Sequence, residues 1–333
     1  MNEAYWLPVI FIGLMGLSVL VYAILDGYDL GVGILLPIDE AREKDRDTMI
    51  ASIGPFWDAN ETWLVLAVGL MLIAFPAAHS LVFYHLYMPA TVMLIGLILR
   101  GVAFDFRAKA AIDHKLDWDR CFKIGSVLTC LAQGYMLGQF VVGFASDSGG
   151  LIFSLLSAVC VTAAYRYIGA CWLVIKTESE LQKRMIREAR LSGRLALLGV
   201  LAVCIVNPLV NPDVFVRWFS GGIYSCLWAI PLICFFAFLS NDRLLGDSRQ
   251  AARHCWRPFL QTALVFLCCF VALCLSFFPD IVPNQMDIWE AASAPASLKF
   301  ILVGAIIVVP IILAYTVFAY WVFRGKATSL HYH

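Results

Sequence analysis

Charge is scarce in this chain. Of its 333 residues 14% are charged, and 24 Lys and Arg balance 24 Asp and Glu, so the net charge is zero. That balance leaves no basic footprint for nucleic acid and no acidic tail. Metal-ligand spacing is missing too: the 11 cysteines include no C-x-x-C pair and no Cys/His cluster, and the six histidines form no H-x-x-x-H or E-x-x-H pair. Most cysteines (Cys130, Cys160, Cys204, Cys226, Cys234, Cys268, Cys269 and Cys274) fall inside apolar stretches and read as buried thiols. Met1 to Trp6 has no positive n-region, and no small-residue cleavage site follows the first apolar run, so a retained span is expected there and not a signal peptide. No internal repeat and no soluble domain is visible.

What the chain does have is apolar sequence, 61% of it, with a mean hydropathy of +0.81. Soluble domains are nearer half apolar and a quarter charged, so the composition points to an all-α polytopic membrane protein. A span needs about 20 apolar residues. On that rule nine runs qualify: 6–36, 52–75, 80–100, 121–144, 151–176, 193–210, 220–240, 258–278 and 298–322. Lys and Arg gather in every second connection and in the C-terminal tail, from Arg42 and Lys44 to Arg324 and Lys326, while Arg217 and Lys299 fall on the other side. The bias predicts the N-terminus outside and the C-terminus in the cytoplasm, an outcome that requires an odd number of spans. Outer connections such as Pro76–His79 and Ala145–Gly150 are short, so successive helices are expected to pack as antiparallel hairpins.

Against this background one stretch stands out, Gly54-Pro-Phe-Trp57-Asp58-Ala-Asn60-Glu61-Thr-Trp63, which opens the apolar run Leu64–Phe75. An ionised side chain near the bilayer centre costs about 2.5–3.5 kcal/mol on insertion scales, so acids carried into a span mark a functional site by default. Pro55 suits a first helical turn, which puts Asp58 and Glu61 on one face at i and i+3. The first span ends in a second acidic motif, Asp26-Gly-Tyr-Asp29-Leu-Gly-Val-Gly33, whose Gly27 and Gly31 form a G-x-x-x-G edge for close helix approach. Counted from Pro37, Asp29 lies about 12 Å and Asp26 about 16 Å inward, and Asp58 reaches a similar depth counted from Asp47. The acids of the first two spans are therefore expected at one level on the cytoplasmic side. The simpler alternative makes them packing groups paired with Arg100 or Arg166.

The third span ends in Arg100-Gly-Val-Ala-Phe-Asp105-Phe-Arg107. Arg100 is the better counter-ion for buried acids, and Arg107 reads as a topology anchor or charge clamp. Trp57, Arg100, Asp105 and Arg107 together are expected to form that clamp. Arg166 must pair or snorkel, with no partner evident. His79 and His85 lie six residues apart on different helical faces, which disfavours a bis-His site from one helix. Gln133, Gln139, Asn207 and Asn211 read as hydrogen-bonding glue and helix termination, and the loop from Phe278 through Trp289 to Ala292 as an interfacial segment.

Those motifs, with the terminal Val309-Pro310-Ile-Ile-Leu-Ala-Tyr315-Thr316, together resemble subunit II of the cytochrome bd-type quinol oxidases, a family that includes cyanide-insensitive variants. The likeness runs from the first helix to the last. One departure is Ala59, where the family often has Gly. The resemblance implies a subunit of a bacterial inner-membrane oxidase that couples quinol oxidation to reduction of O2 to water. It implies two four-helix bundles (1–144 and 151–278) and a peripheral helix (298–322) within a single membrane-embedded domain. No cofactor is expected on this chain: haems of b and d types or variants belong to a partner, subunit I. A structural quinone or lipid and a small single-helix accessory subunit complete the expected company, and nucleic acid is not part of it. A proton path from the cytoplasm carries over to Asp58, and with it to Asp26, Asp29 and Glu61.

Two other classes stay open on the residues alone. A proton-coupled secondary transporter also carries midplane acids, though it should show inverted repeats and interrupted helices. A purely structural membrane scaffold would carry the same charges as incidental salt bridges. Co-purification with a haem-bearing chain separates the first reading from the transporter, and acid-to-amide substitutions separate it from the scaffold.

Overall fold

The computed structural model describes residues 3–109, 114–145, 147–219 and 227–327. Long apolar sequence folds as helix because the bilayer offers no partner for backbone N–H and C=O groups. Nine helices among the described residues are long and apolar enough to span a membrane: α1 (Glu3–Leu35), α3 (Trp57–Ala74), α4 (Pro76–Lys109), α5 (Lys115–Val141), α6 (Ser148–Lys176), α7 (Ser179–Val210), α9 (Ala229–Gly246), α11 (Trp256–Phe277) and α13 (Pro295–Val322). Short helices fill the connections: α2 (Glu43–Ala51), α8 (Pro212–Phe219), α10 (Ser248–Arg253) and α12 (Ile288–Ala291), with a two-stranded antiparallel hairpin, β1 (Asp280–Val282) and β2 (Met286–Asp287).

Several boundaries differ from the apolar windows. Helix α4 runs to Lys109 and α7 begins at Ser179, each well beyond the hydrophobic run, because helix formers such as Ala, Leu, Glu, Arg and Lys continue the helix outside the apolar slab. Residues 76–79, expected in a loop, are the first turn of α4, and Phe75 alone separates it from α3. Pro55 lies in the turn before α3 and not in its first helical turn, since Trp57 is the first helical residue. The expected seventh span begins at 220, and 220–226 lie outside the described residues. Elsewhere local capping sets the ends: Asp147 accepts from Gly150 N ahead of α6, and Asp287 accepts from Trp289 N and Glu290 N ahead of α12.

Helix α1 is the hub, packed against α3, α5 and α6, with lesser contacts to α11 and α13. Its tightest crossing is with α6. A Cβ added to Gly31 would fall 1.9 Å from the Tyr165 carbonyl oxygen, and one on Gly169 would meet Gly31 Cα at 2.6 Å. The two backbones touch there, which only glycine allows. Gly27, the other member of the G-x-x-x-G edge, faces the Tyr165 ring. The two largest apolar cores lie towards opposite ends of the bundle, one around Tyr28, Phe56 and Trp172, the other around Phe11, Phe75 and Ile288. The last helix stands apart: of α13 only Leu298 and Val309 are buried.

Candidate functional site

The inward face of α3 is set by its small and aromatic residues, Asn60, Trp63, Ala67, Leu70 and Ala74, all buried at helical spacing. That stripe decides which polar groups of the Trp57–Trp63 motif enter the protein. Asn60 is on it, Glu61 borders it, and Asp58, two residues from Asn60 and so nearly opposite on the helix, is exposed. On α1 every residue from Asp26 to Gly33 is buried, because close packing on α6 leaves that segment no free side.

Arg100 of α4 joins these elements. Its Nη2 donates to Asp26 Oδ1 at 2.6 Å and to Glu61 Oε1 at 2.9 Å; Arg100 and Asp26 are fully buried, and the Glu61 side chain is 25% exposed. Three spans thus meet at one guanidinium. Asn60 Nδ2 donates to Asp29 Oδ2 at 2.7 Å and to Tyr28 OH at 3.1 Å. Tyr320 of α13 donates to Asn60 Oδ1 at 3.2 Å, and its hydroxyl lies 2.5 Å from that of Tyr28. Gln133 of α5 donates to Tyr22 OH at 2.5 Å, one turn from Asp26. Among the described residues Asp26 Oδ2, Asp29 Oδ1 and Arg100 Nε and Nη1 have no hydrogen-bond partner although buried. Chemically this is two buried carboxylates with a free oxygen each, a third at the surface, and one cation holding the first and third.

A second charged group lies towards the end of α4. Asp119 of α5, fully buried, accepts from Arg46 Nε at 2.8 Å and Arg107 Nε at 2.5 Å, while Arg107 Nη2 donates to Asp47 at 2.7 Å. The expected clamp therefore divides. Arg100 belongs to the acid cluster and Arg107 to the Asp119 group. Trp57 packs on Phe104 with ring centroids 4.9 Å apart. Asp105 joins neither, being exposed and, among the described residues, unpaired, because it falls on the outer side of α4 while Arg100, Ala103 and Arg107 take the inner side. Asp58 likewise makes no hydrogen bond or ion pair among the described residues. Arg166 is paired with Glu188 of α7 at 2.6 Å; a cavity of about 340 Å³ beside that pair is lined also by Lys123 and Arg184 but by none of Asp26, Asp29, Asp58 or Glu61.

Sequence reasoning missed Tyr28, Tyr320 and Asp119. Tyr28 sits inside the quoted motif and Asp119 heads a helix, so both were visible as polar groups near apolar sequence; nothing in the sequence joins Tyr320 to residues nearly three hundred positions earlier. His79 stacks on Phe83, and His85 Nδ1 lies 2.9 Å from Leu81 O with its ring against Phe144.

The fold and this cluster define a multi-pass helical membrane protein that keeps ionisable groups at bilayer depth. The family model for cytochrome bd terminal oxidase subunit II matches residues 7–323, and the chain belongs to that family. It is similar to the cytochrome bd-I ubiquinol oxidase subunit 2 of Escherichia coli strain K12, 28% identical over an alignment covering 95% of this chain and 94% of that one. It is similar also to the cytochrome bd ubiquinol oxidase subunit 2 of Bacillus subtilis strain 168, 27% identical with 91% and 92% covered. Among solved structures it resembles a chain of the bd oxidase from Geobacillus thermodenitrificans, with a TM-score of 0.78 at 18% identity, covering 95% of this chain and 98% of that one. At that identity the likeness speaks for the fold.

Proposed function

We propose that this chain is the haem-free subunit of a bacterial quinol:O2 oxidoreductase, paired with a haem-bearing subunit I, and that its acids form part of a proton uptake path from the cytoplasm. The single observation that carries the path is the buried cluster: Asp26 and Asp29 at bilayer depth, each with a carboxylate oxygen that accepts no hydrogen bond among the described residues, beside the Arg100–Glu61 pair. Reduction of O2 to water consumes protons, and quinol oxidation releases them. If the first are drawn from one side and the second leave on the other, charge is separated without a pump. Such a scheme needs an inward route lined by groups that exchange protons, and carboxylates with free lone pairs are suited to it. Asp58, exposed at the start of α3, serves in this reading as an outer group of the path, and Glu61, on the border of the buried stripe, links it to the interior.

The two sets of four spans, 1–144 and 151–278, with α13 outside them, complete the proposal. Helix α13, buried at only two residues, offers its broad apolar surface to lipid or subunit I. An affinity tag on this chain tests the assignment. It is expected to bring down a haem-bearing membrane chain with quinol:O2 activity, while the chain expressed alone shows no haem absorbance. Stoichiometric b- or d-type absorbance from the isolated chain would overturn the haem-free assignment.

A further inference from the structure

The crevice between α7 and α9 carries a charge arrangement for which oxygen reduction has no use. Arg190 and Arg194 stand one turn apart on α7 and converge on Asp242 of α9. Arg190 Nε and Nη2 donate to the two carboxylate oxygens at 3.2 Å each, and Arg194 Nε and Nη2 do so at 2.7 and 3.2 Å. Two guanidiniums on one carboxylate leave one positive charge in excess, and each fork has more N–H donors than the two Asp242 accepts. All three side chains are partly exposed on the outside of the bundle. Beside them opens a cavity of about 210 Å³, walled on its apolar side by Leu197, Phe235, Phe238 and Leu239.

Depth says what medium this crevice meets. Measured from Val210, the end of α7, Arg194 lies about 24 Å and Arg190 about 30 Å along the axis, and the hydrocarbon slab is about 30 Å thick. With Val210 at one boundary, the arginines are level with the headgroups at the other. Phe235 lies about 10 Å along α9 from Asp242, back into the acyl-chain region.

We propose that this crevice binds one anionic phospholipid, with its phosphodiester on Arg190 and Arg194 and an acyl chain along Leu197 and Phe235. Charge selects the occupant. A site with an excess of one cation is neutralised by a lipid of net charge −1, whereas a zwitterionic lipid brings an ammonium group that the two arginines repel. Basic pockets between spanning helices recognise anionic headgroups in this way.

The test uses the assembled oxidase, reconstituted in phosphatidylcholine nanodiscs containing a minor fraction of phosphatidylglycerol, with retained lipid read by native mass spectrometry. The wild type is expected to retain phosphatidylglycerol far above its bulk share. Arg194→Gln, which keeps the Arg190–Asp242 pair, should lower that retention about fivefold, the effect of one surface cation. Asp242→Asn, which raises the excess charge, should increase it by a similar factor. An ion pair that merely braces α7 against α9 would loosen the crevice in both variants and lower retention in both. That result, equal retention in all three proteins, or wild-type retention in proportion to bulk composition, would overturn the proposal. Arg194→Lys, which keeps the charge with minimal change in packing, should retain the lipid, and its failure to do so in an assembled complex would count against charge as the selecting feature.

Discussion

Arg100 is the residue on which the buried charge balance turns. It bridges Asp26 and Glu61 from a position with no access to solvent, and removing one member of a buried pair costs about 3–5 kcal/mol because the other charge is left uncompensated. Arg100→Gln is therefore expected to lower the thermal midpoint of the purified complex sharply and to reduce its yield; a midpoint unchanged from wild type would contradict the view that Arg100 holds the buried acids in place. Asp58 behaves differently. With no ion pair to lose among the described residues, Asp58→Asn should be almost silent in stability, which makes it a clean probe of chemistry. The sequence placed Asp58 and Glu61 on one face correctly in spacing, but spacing says which residues share a side and not which side faces the bundle. Asn60, whose role is to hold Asp29, occupies the inward position that the acids were expected to share.

Among the elements, the crossing of α1 and α6 fixes the depth and rotation of the acidic segment. Gly31 leaves no room for a methyl group against the Tyr165 carbonyl. Gly31→Ala must push the helices apart, and overpacking of this kind costs about 1–3 kcal/mol or more. The expected outcome is loss of assembled complex on gel filtration, with Gly13→Ala, where nothing lies within 4 Å of the added carbon, as the harmless control. Full assembly of Gly31→Ala would show that the contact is looser than described. The G-x-x-x-G pattern made this crossing legible. The tie between α13 and the cluster was not: Tyr320 reads as an ordinary aromatic near a helix end, and its bonds to Tyr28 and Asn60 depend on where a peripheral helix docks, which no local pattern encodes. The Asp119 clamp was hidden for a similar reason, since its two arginines come from separate helices.

For the whole molecule, hydropathy alone located nine spans, because the bilayer imposes one length scale and one backbone solution on every crossing. Helix ends were less legible, since polar helix formers carry α4 and α7 past the slab. Orientation rests on Lys and Arg placement. A reporter fused after His333 should read as cytoplasmic and one inserted between Ser146 and Gly150 as external; the reverse would place the acid cluster on the wrong side for proton uptake. The most direct measurement joins assembly to chemistry in one preparation: quinol:O2 turnover and haem spectrum of the two-subunit complex carrying Asp58→Asn. A positioned proton-transfer group typically contributes about 10²–10⁴-fold to rate. The expected result is an intact haem spectrum and normal assembly with turnover slowed about 10-fold or more. Normal turnover would contradict the proton-path reading, and loss of haem and partner together would show that Asp58 holds the complex rather than moves protons.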